Sequence, residues 1–200
     1  MSSEGKGEGT GFPSLPSFPI FHPYFLFGIV LVVIAFLLTF LFMSGWIWGA
    51  GYEPTKRRIR NQMFDVLKKR FQSDERFVFY DLGSGFGGVV MDVAEKFSNA
   101  FCTGIERDWF KCAVGNWRLR KSGFGARVVL IRGNLLNLHF SDADVVYIFL
   151  SPSILKRKEL KERMSLLKYN SLILSYCHKI PFLEPSGMIG NDLFLYTLKM

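Results

Sequence analysis

Tyr80-Asp81-Leu82-Gly83-Ser84-Gly85-Phe86-Gly87-Gly88, residues 80–88, stands where a short apolar run, Phe77 to Leu82, gives way to a helical pattern from Val89 to Phe97. Aromatic and β-branched residues stopped by glycines read as a strand, and the following run as a helix, so the stretch is a strand-to-helix turn. Ligands of open α/β sheets bind at the carboxyl ends of such strands. Glycines at 83, 85 and 87 let the backbone turn tightly and approach a ligand without a Cβ in the way. The helix start offers free N–H groups to an anion.

The next strand outward, Ala100 to Ile105, ends in Gly104-Ile105-Glu106, with Glu106 twenty-five positions past Asp81. A carboxylate there can accept both hydroxyls of a ribose. After a third strand, Arg127 to Ile131, comes Gly133-Asn134-Leu135, placed to meet the edge of an adenine. A ligand with an adenosine moiety is implied. Gly83, Gly85 and Gly88 also satisfy GxGxxG, so a nicotinamide dinucleotide is one candidate. Asp81 favours S-adenosylmethionine instead: a carboxylate directly before the glycines can hold the methionine ammonium, where dinucleotide enzymes want an apolar strand residue. The soluble part is also too short for a separate substrate domain. The plain alternatives are that Asp81 caps the helix and Glu106 is a solvated strand end; their joint spacing argues against both.

The remaining pattern continues the alternation. Thr55 to Phe71 puts Ile59, Met63, Val66 and Leu67 on one helical face. Trp109 to Lys121 is a helix, Asp144 to Leu150 a strand apolar enough for the middle of a parallel sheet, Leu155 to Leu167 a charged helix, and Ser171 to Tyr176 a strand. A last strand, Asp192 to Leu198, follows a Pro/Gly loop around Pro185 to Gly190. This is an α/β chain with a doubly wound, mainly parallel sheet over 50–200.

Residues 1–22 begin with Gly, Ser, Glu and Pro in a composition expected to stay disordered. From Tyr24 to Trp48 no side chain is charged, a run longer than the ~20 residues needed to cross a bilayer, with Tyr24 at one end and Trp46 and Trp48 at the other. One transmembrane helix over 23–49 is expected. Lys56, Arg57, Arg58 and Arg60 follow it closely and only Lys6 precedes it, so the positive-inside bias puts the N-terminus outside and the domain in the cytoplasm. The same four cations could rest on anionic headgroups. The net charge of +8 favours anionic partners without choosing among them. Three cysteines without a CxxC pair give neither a disulfide framework nor a zinc site, and His22, His139 and His178 are scattered as structural or surface residues. No metal is expected.

Tyr52-Glu53-Pro54-Thr55, Tyr80 to Gly85, Gly104-Ile105-Glu106, Gly133-Asn134-Leu135-Leu136 and Phe149-Leu150-Ser151-Pro152-Ser153 together resemble the seven-strand (class I, Rossmann-like) S-adenosylmethionine-dependent protein-lysine methyltransferases. The likeness covers Gly51 to about Phe182. It is greatest to small archaeal lysine methyltransferases and to the membrane-anchored mitochondrial enzymes acting on the ATP synthase c-subunit and the adenine nucleotide translocase. The resemblance implies that the segment with Tyr52 and Thr55 closes over the cofactor and that Leu150 through Ser153 line the acceptor channel. The candidate cofactor contacts are then Tyr52, Thr55, Asp81, Gly83, Ser84, Gly85, Gly87, Glu106, Arg107, Asn134, Leu135 and Phe149. Tyr52, Ser151 and Pro152 are the candidate catalytic channel residues. Two positions depart from the family: Phe86-Gly87-Gly88 replaces an Asp followed by Gly-Arg, and Glu53 replaces an apolar residue.

The sulfonium activates its own methyl group, so the protein has to align an in-line displacement and keep the acceptor amine unprotonated. A lysine, with a reference pKa near ~10.4, loses its proton more readily in a narrow apolar channel. Tyr52, Phe149, Tyr176 and Phe182 are candidate walls, or core aromatics. The expected activity is N-methylation of lysine in a protein, itself at a membrane or abundant and basic. A lipid or small membrane-soluble acceptor, and a non-catalytic adenosylmethionine-binding protein, are the alternatives. Ser151-Pro152-Ser153 lacks the Asn/Asp-Pro-Pro-aromatic pattern of base-methylating enzymes, which disfavours nucleic acid.

Overall fold

A computed structural model describes residues 23–47, 53–72 and 74–198. The tail expected over 1–22, the ring of Trp48 and the site role given to Tyr52 fall outside the described residues. The chain divides into two units, Met1–Ile47 and Trp48–Met200.

The first unit contains α1 (Pro23–Ile47), 25 residues without a charge. Its side chains are described over 24–40, a stretch shorter than the ~20 residues a hydrocarbon core requires. Among the described residues no helix is long and apolar enough to cross a membrane. The span expected over 23–49 therefore rests on the sequence alone.

The second unit opens with α2 (Arg57–Arg70), whose Ile59, Met63 and Leu67 recur every fourth residue and are fully buried. Burying side chains of this size stabilises by ~1.5–3 kcal/mol each. There follow β1 (Phe77–Leu82), α3 (Gly88–Lys96), β2 (Ala100–Glu106), α4 (Trp109–Ser122), β3 (Val128–Arg132), β4 (Val145–Ile148), α5 (Pro152–Leu155), α6 (Lys158–Met164), β5 (Leu172–Tyr176), β6 (Gly187–Ile189) and β7 (Leu193–Thr197). The strands form one sheet in the order β3-β2-β1-β4-β5-β7-β6. β1 to β5 pair in parallel; β7 runs antiparallel between β5 and β6. β4 and β5 lie in the middle and are buried along their whole length, one apolar layer packing on each face of the sheet. The order reverses between β1 and β4, and their carboxyl ends part at that point, opening a crevice.

The structure corrects the sequence reading in two places. The single helix expected over Leu155 to Leu167 is two, because Arg157 is extended (φ −70°, ψ 133°). On one continuous helix Leu155 and Leu160 would point about 140° apart. The break lets both reach the same apolar layer with Met164. The loop around Pro185 to Gly190 contains β6, a three-residue edge strand set in register by Gly187 opposite Leu195 and Ile189 opposite Leu193.

Candidate active site

The crevice is a cleft of about 710 Å³ at the carboxyl ends of β1 to β5. This is within the ~300–1,000 Å³ of small-molecule and cofactor sites. The turn after β1 forms its floor. Gly83 (φ +88°) and Gly85 (φ +55°) occupy the left-handed region, where a side chain is strained. The backbone N–H groups of Gly83 and Ser84 both donate to the Ile105 carbonyl, which pins the turn to the end of β2. Gly104 makes room for this: a Cβ there would lie 2.7 Å from Ser84 Oγ and 2.6 Å from Leu130 Cδ2.

Two carboxyl groups face the cleft from adjacent strand ends. Glu106 binds the turn directly. Its Oε2 accepts the Gly85 N–H and its Oε1 accepts the Asp108 N–H, each at 2.8 Å. A carboxylate has about four acceptor sites, so capacity remains for two more donors. Asp81, 3% exposed, is buried at the end of β1. Burial first, and then the nearby Glu106 carboxylate, push its carboxyl up to about 8. Among the described residues no cation forms an ion pair with it. Such a group suits an ammonium, which relieves both causes of the raised pKa at once. Ser84 Oγ is buried in the same wall without a hydrogen-bond partner among the described residues.

The other walls come from four segments. Thr55 Oγ1 and the Tyr147 hydroxyl lie 2.9 Å apart, joining the segment before α2 to β4. Arg107, Asp108 and Lys111 flank the cleft at the start of α4, and Gly133, Asn134 and Leu135 follow β3. Asn134 Oδ1 accepts the Leu136 N–H, so its side-chain oxygen serves the loop rather than facing outward alone. After β4, Phe149, Leu150, Ser151 and Pro152 form the lip. Ser151 is the residue before α5, Pro152 opens that helix, and the Ser151 and Ser153 hydroxyls lie 2.9 Å apart.

Of the residues singled out in the sequence, Thr55, Asp81, Gly83, Ser84, Gly85, Glu106, Arg107, Asn134, Leu135, Phe149, Ser151 and Pro152 all line this one cleft. Gly87 does not. It is the left-handed residue preceding α3, and a Cβ on it would lie 2.7 Å from Leu130 Cδ1, so its smallness serves packing on β3. Gly88 lines the cleft instead. Phe149 packs on Tyr176, ring centroids 4.4 Å apart, whereas Phe182 joins the apolar layer on the far face of the sheet and is a core aromatic. His178, set aside as structural, reaches the cleft from the end of β5, where Cys177 takes a left-handed turn (φ +72°). Tyr147, Arg60 and Arg118 also line it. Tyr147 sits inside an apolar strand and the two arginines lie on helices remote in sequence, so no local pattern marked them. Arg60 pairs with Asp92, and Arg58 with Asp192 at 2.6 Å. Two of the four cations expected to rest on headgroups are thus committed within the unit.

Residues 81–187, over half of the chain, match the ANTKMT methyltransferase domain. A protein-lysine N-methyltransferase of Saccharolobus islandicus (strain REY15A) is 26% identical over 153 residues, covering 74% of this chain and 92% of that protein. The crystal structure of an RNA methyltransferase from Salinibacter ruber in complex with S-adenosyl-L-homocysteine superposes with a TM-score of 0.65 at 25% identity, covering 74% of this chain and 94% of the other. An S-adenosylmethionine-dependent methyltransferase from Geobacter sulfurreducens, also with S-adenosyl-L-homocysteine, shares the fold: TM-score 0.52, 21% identity, 65% of this chain and 53% of that one. With the glycine turn and its two carboxyl groups opening the matched segment, this chain belongs to the ANTKMT methyltransferase domain family and is an S-adenosylmethionine-dependent methyltransferase.

Proposed function

We propose that this enzyme N-methylates lysine side chains of a protein substrate at a membrane to which it is anchored by α1. The observation that carries the lysine reading is the lip after β4. Phe149, Leu150 and Pro152, with Tyr147 behind them, make an apolar approach to the cleft next to the buried Asp81. The family match and the curated lysine methyltransferase relative support the same acceptor.

The residues present fit the cofactor. Glu106 would take the ribose hydroxyls on its spare acceptor sites, and Asp81 the ammonium. The N–H groups at the start of α3 would take the carboxylate, and the backbone of Gly133 to Leu135 the adenine edge. Thr55, held by Tyr147, keeps Glu53 and Pro54 in the wall of this cleft. S-adenosylmethionine supplies an electrophilic methyl group. The chain has to orient the acceptor in line with it, exclude water and favour the neutral amine. Phe149 and Leu150 do the last by desolvation, because an ammonium ion loses more hydration in an apolar lip than an amine does.

Anchoring is supported by the 25 uncharged residues of α1 and by the cations that follow it. The orientation proposed is N-terminus outside and catalytic unit, 50–200, in the cytoplasm. The test is incubation of the full chain with methyl-labelled S-adenosylmethionine and a membrane extract, followed by separation of protein, lipid and RNA. Label in protein, located on lysine by peptide mass spectrometry and lost with Glu106→Ala, is the expected result. Label in lipid or RNA alone overturns the lysine reading. Enzyme released from membranes by alkaline carbonate overturns the anchor.

A further inference from the structure

α4 buries Cys112 and Gly115 on one side and shows solvent an unusual combination on the other. At ~100° per residue, Trp109, Phe110, Ala113, Trp117, Arg120 and Lys121 fall within an arc of about 120°. Trp109 and Trp117 are 55% and 56% exposed, and Phe110 is 38% exposed. Trp109 and Phe110 meet edge to face at 5.9 Å, and Lys121 Nζ lies 4.0 Å over the Trp117 ring. The helix has four Lys or Arg residues and no Asp or Glu.

We propose that this face of α4 docks on the surface of an anionic lipid bilayer, with Trp109, Phe110 and Trp117 entering the headgroup region and Arg120 and Lys121 pairing with lipid phosphates. An indole is apolar along its body and polar at its N–H, so it settles where hydrocarbon meets water. Arg and Lys lay their stems along apolar surface and hold the cation outward. Together these are the features of a helix lying in the plane of a membrane interface. The absence of any acidic residue on α4 selects an anionic surface over a neutral one. The proposal rests in part on the anchoring of α1, which would bring the chain to the same bilayer. Lys111 and Arg118, on the flank of α4, line the cleft. Docking would therefore hold the mouth of the active site at the lipid surface and select acceptors exposed there.

The full chain with Cys177→Ser, which removes the exposed thiol, and Ala113→Cys takes a nitroxide on the docking arc. Cys102 and Cys112 are buried. The labelled chain is mixed with vesicles of phosphatidylcholine alone, or of phosphatidylcholine with phosphatidylglycerol. In anionic vesicles the label should become more accessible to oxygen and less accessible to a water-soluble nickel chelate, and high salt should reverse this. Neutralising Arg120→Gln and Lys121→Gln should lower the docked to undocked ratio about thirtyfold, about fivefold for each cation. Trp109→Ala with Trp117→Ala should also release the face. S-adenosylhomocysteine binding shows that each variant is folded. Flotation on neutral vesicles reports α1 separately: loss of flotation there, with the label still protected on anionic vesicles, refutes the anchor and upholds α4. A label equally open to nickel in both vesicles, or shielded only by added single-stranded RNA or by higher protein concentration, overturns the proposal.

Discussion

Asp81→Asn should make the protein more stable and less able to bind its cofactor. In the folded chain burial and Glu106 hold the Asp81 carboxyl up to about 8 from an ordinary 3.8. At pH 7 the folded protein keeps this proton while the unfolded chain releases it. Stability from the group is thus complete below about pH 3.8, falls as pH rises, and levels off above about pH 8. Between the ordinary value and pH 7 the loss is ~1.36 kcal/mol per pH step, roughly 4 kcal/mol in all. Asn has the shape of the protonated acid and nothing to ionise, so the variant escapes the loss. At ~2–4 °C per kcal/mol for a unit of this size, its melting temperature at pH 7 should rise by roughly 10 °C. The two proteins should converge toward pH 4. Differential scanning calorimetry of both without cofactor, from pH 4 to pH 9, tests this. A variant equal to or less stable than the parent at pH 7, or a difference that does not change with pH, refutes the assignment of a protonated buried carboxyl. The same burial should make cofactor binding release a proton below pH 8, with affinity rising up to tenfold per pH step in the parent and flat in the variant.

Three further outcomes follow from the site. Glu106→Ala removes two acceptors for ribose and the tie to Gly85; at ~1.5–3 kcal/mol for each bond to a charged group, S-adenosylhomocysteine affinity by titration calorimetry should fall at least about a hundredfold. Gly104→Ala forces a methyl group against Ser84 and Leu130 and should cost about 1–3 kcal/mol in denaturant unfolding, whereas an unchanged midpoint would show the glycine turn to be looser than described. Tyr147→Phe orphans the buried Thr55 hydroxyl; a loss of ~1 kcal/mol should appear as faster amide exchange over residues 55–58 and a severalfold weaker cofactor affinity, and unchanged exchange would dissociate that segment from β4.

The gathering of the glycine turn, Glu106 and Asn134 in one cleft was legible because it follows from local chemistry at strand ends. A run such as Phe77 to Leu82 closed by Gly83, Gly85 and Gly88 specifies a strand, a left-handed turn and a helix start within about a dozen residues. Glu106 and Asn134 recur at the same place in the next two units of the pattern. Gly87 shows the limit of that reasoning. Its residue type was read as freedom near a ligand, while its neighbour Leu130, distant in sequence, gives it a packing role. His178 was equally opaque, since its place depends on the backbone turn at Cys177 rather than on any motif.

Composition, periodicity and glycine spacing by themselves determined an α/β chain with an uncharged leading helix, a parallel core and a glycine turn at the end of its first strand. These are properties of residues within one or two turns of each other, and propensity and glycine geometry act at that range. Tertiary structure alone decided the place of β6, the break before α6, the union of Thr55 with Tyr147 and the raised pKa of Asp81. The place of β6 depends on backbone pairing with β7 that its three residues do not announce; the others depend on groups brought together across the fold: a shared apolar layer, a buried hydrogen bond, and two carboxyl groups forced close by adjacent parallel strands.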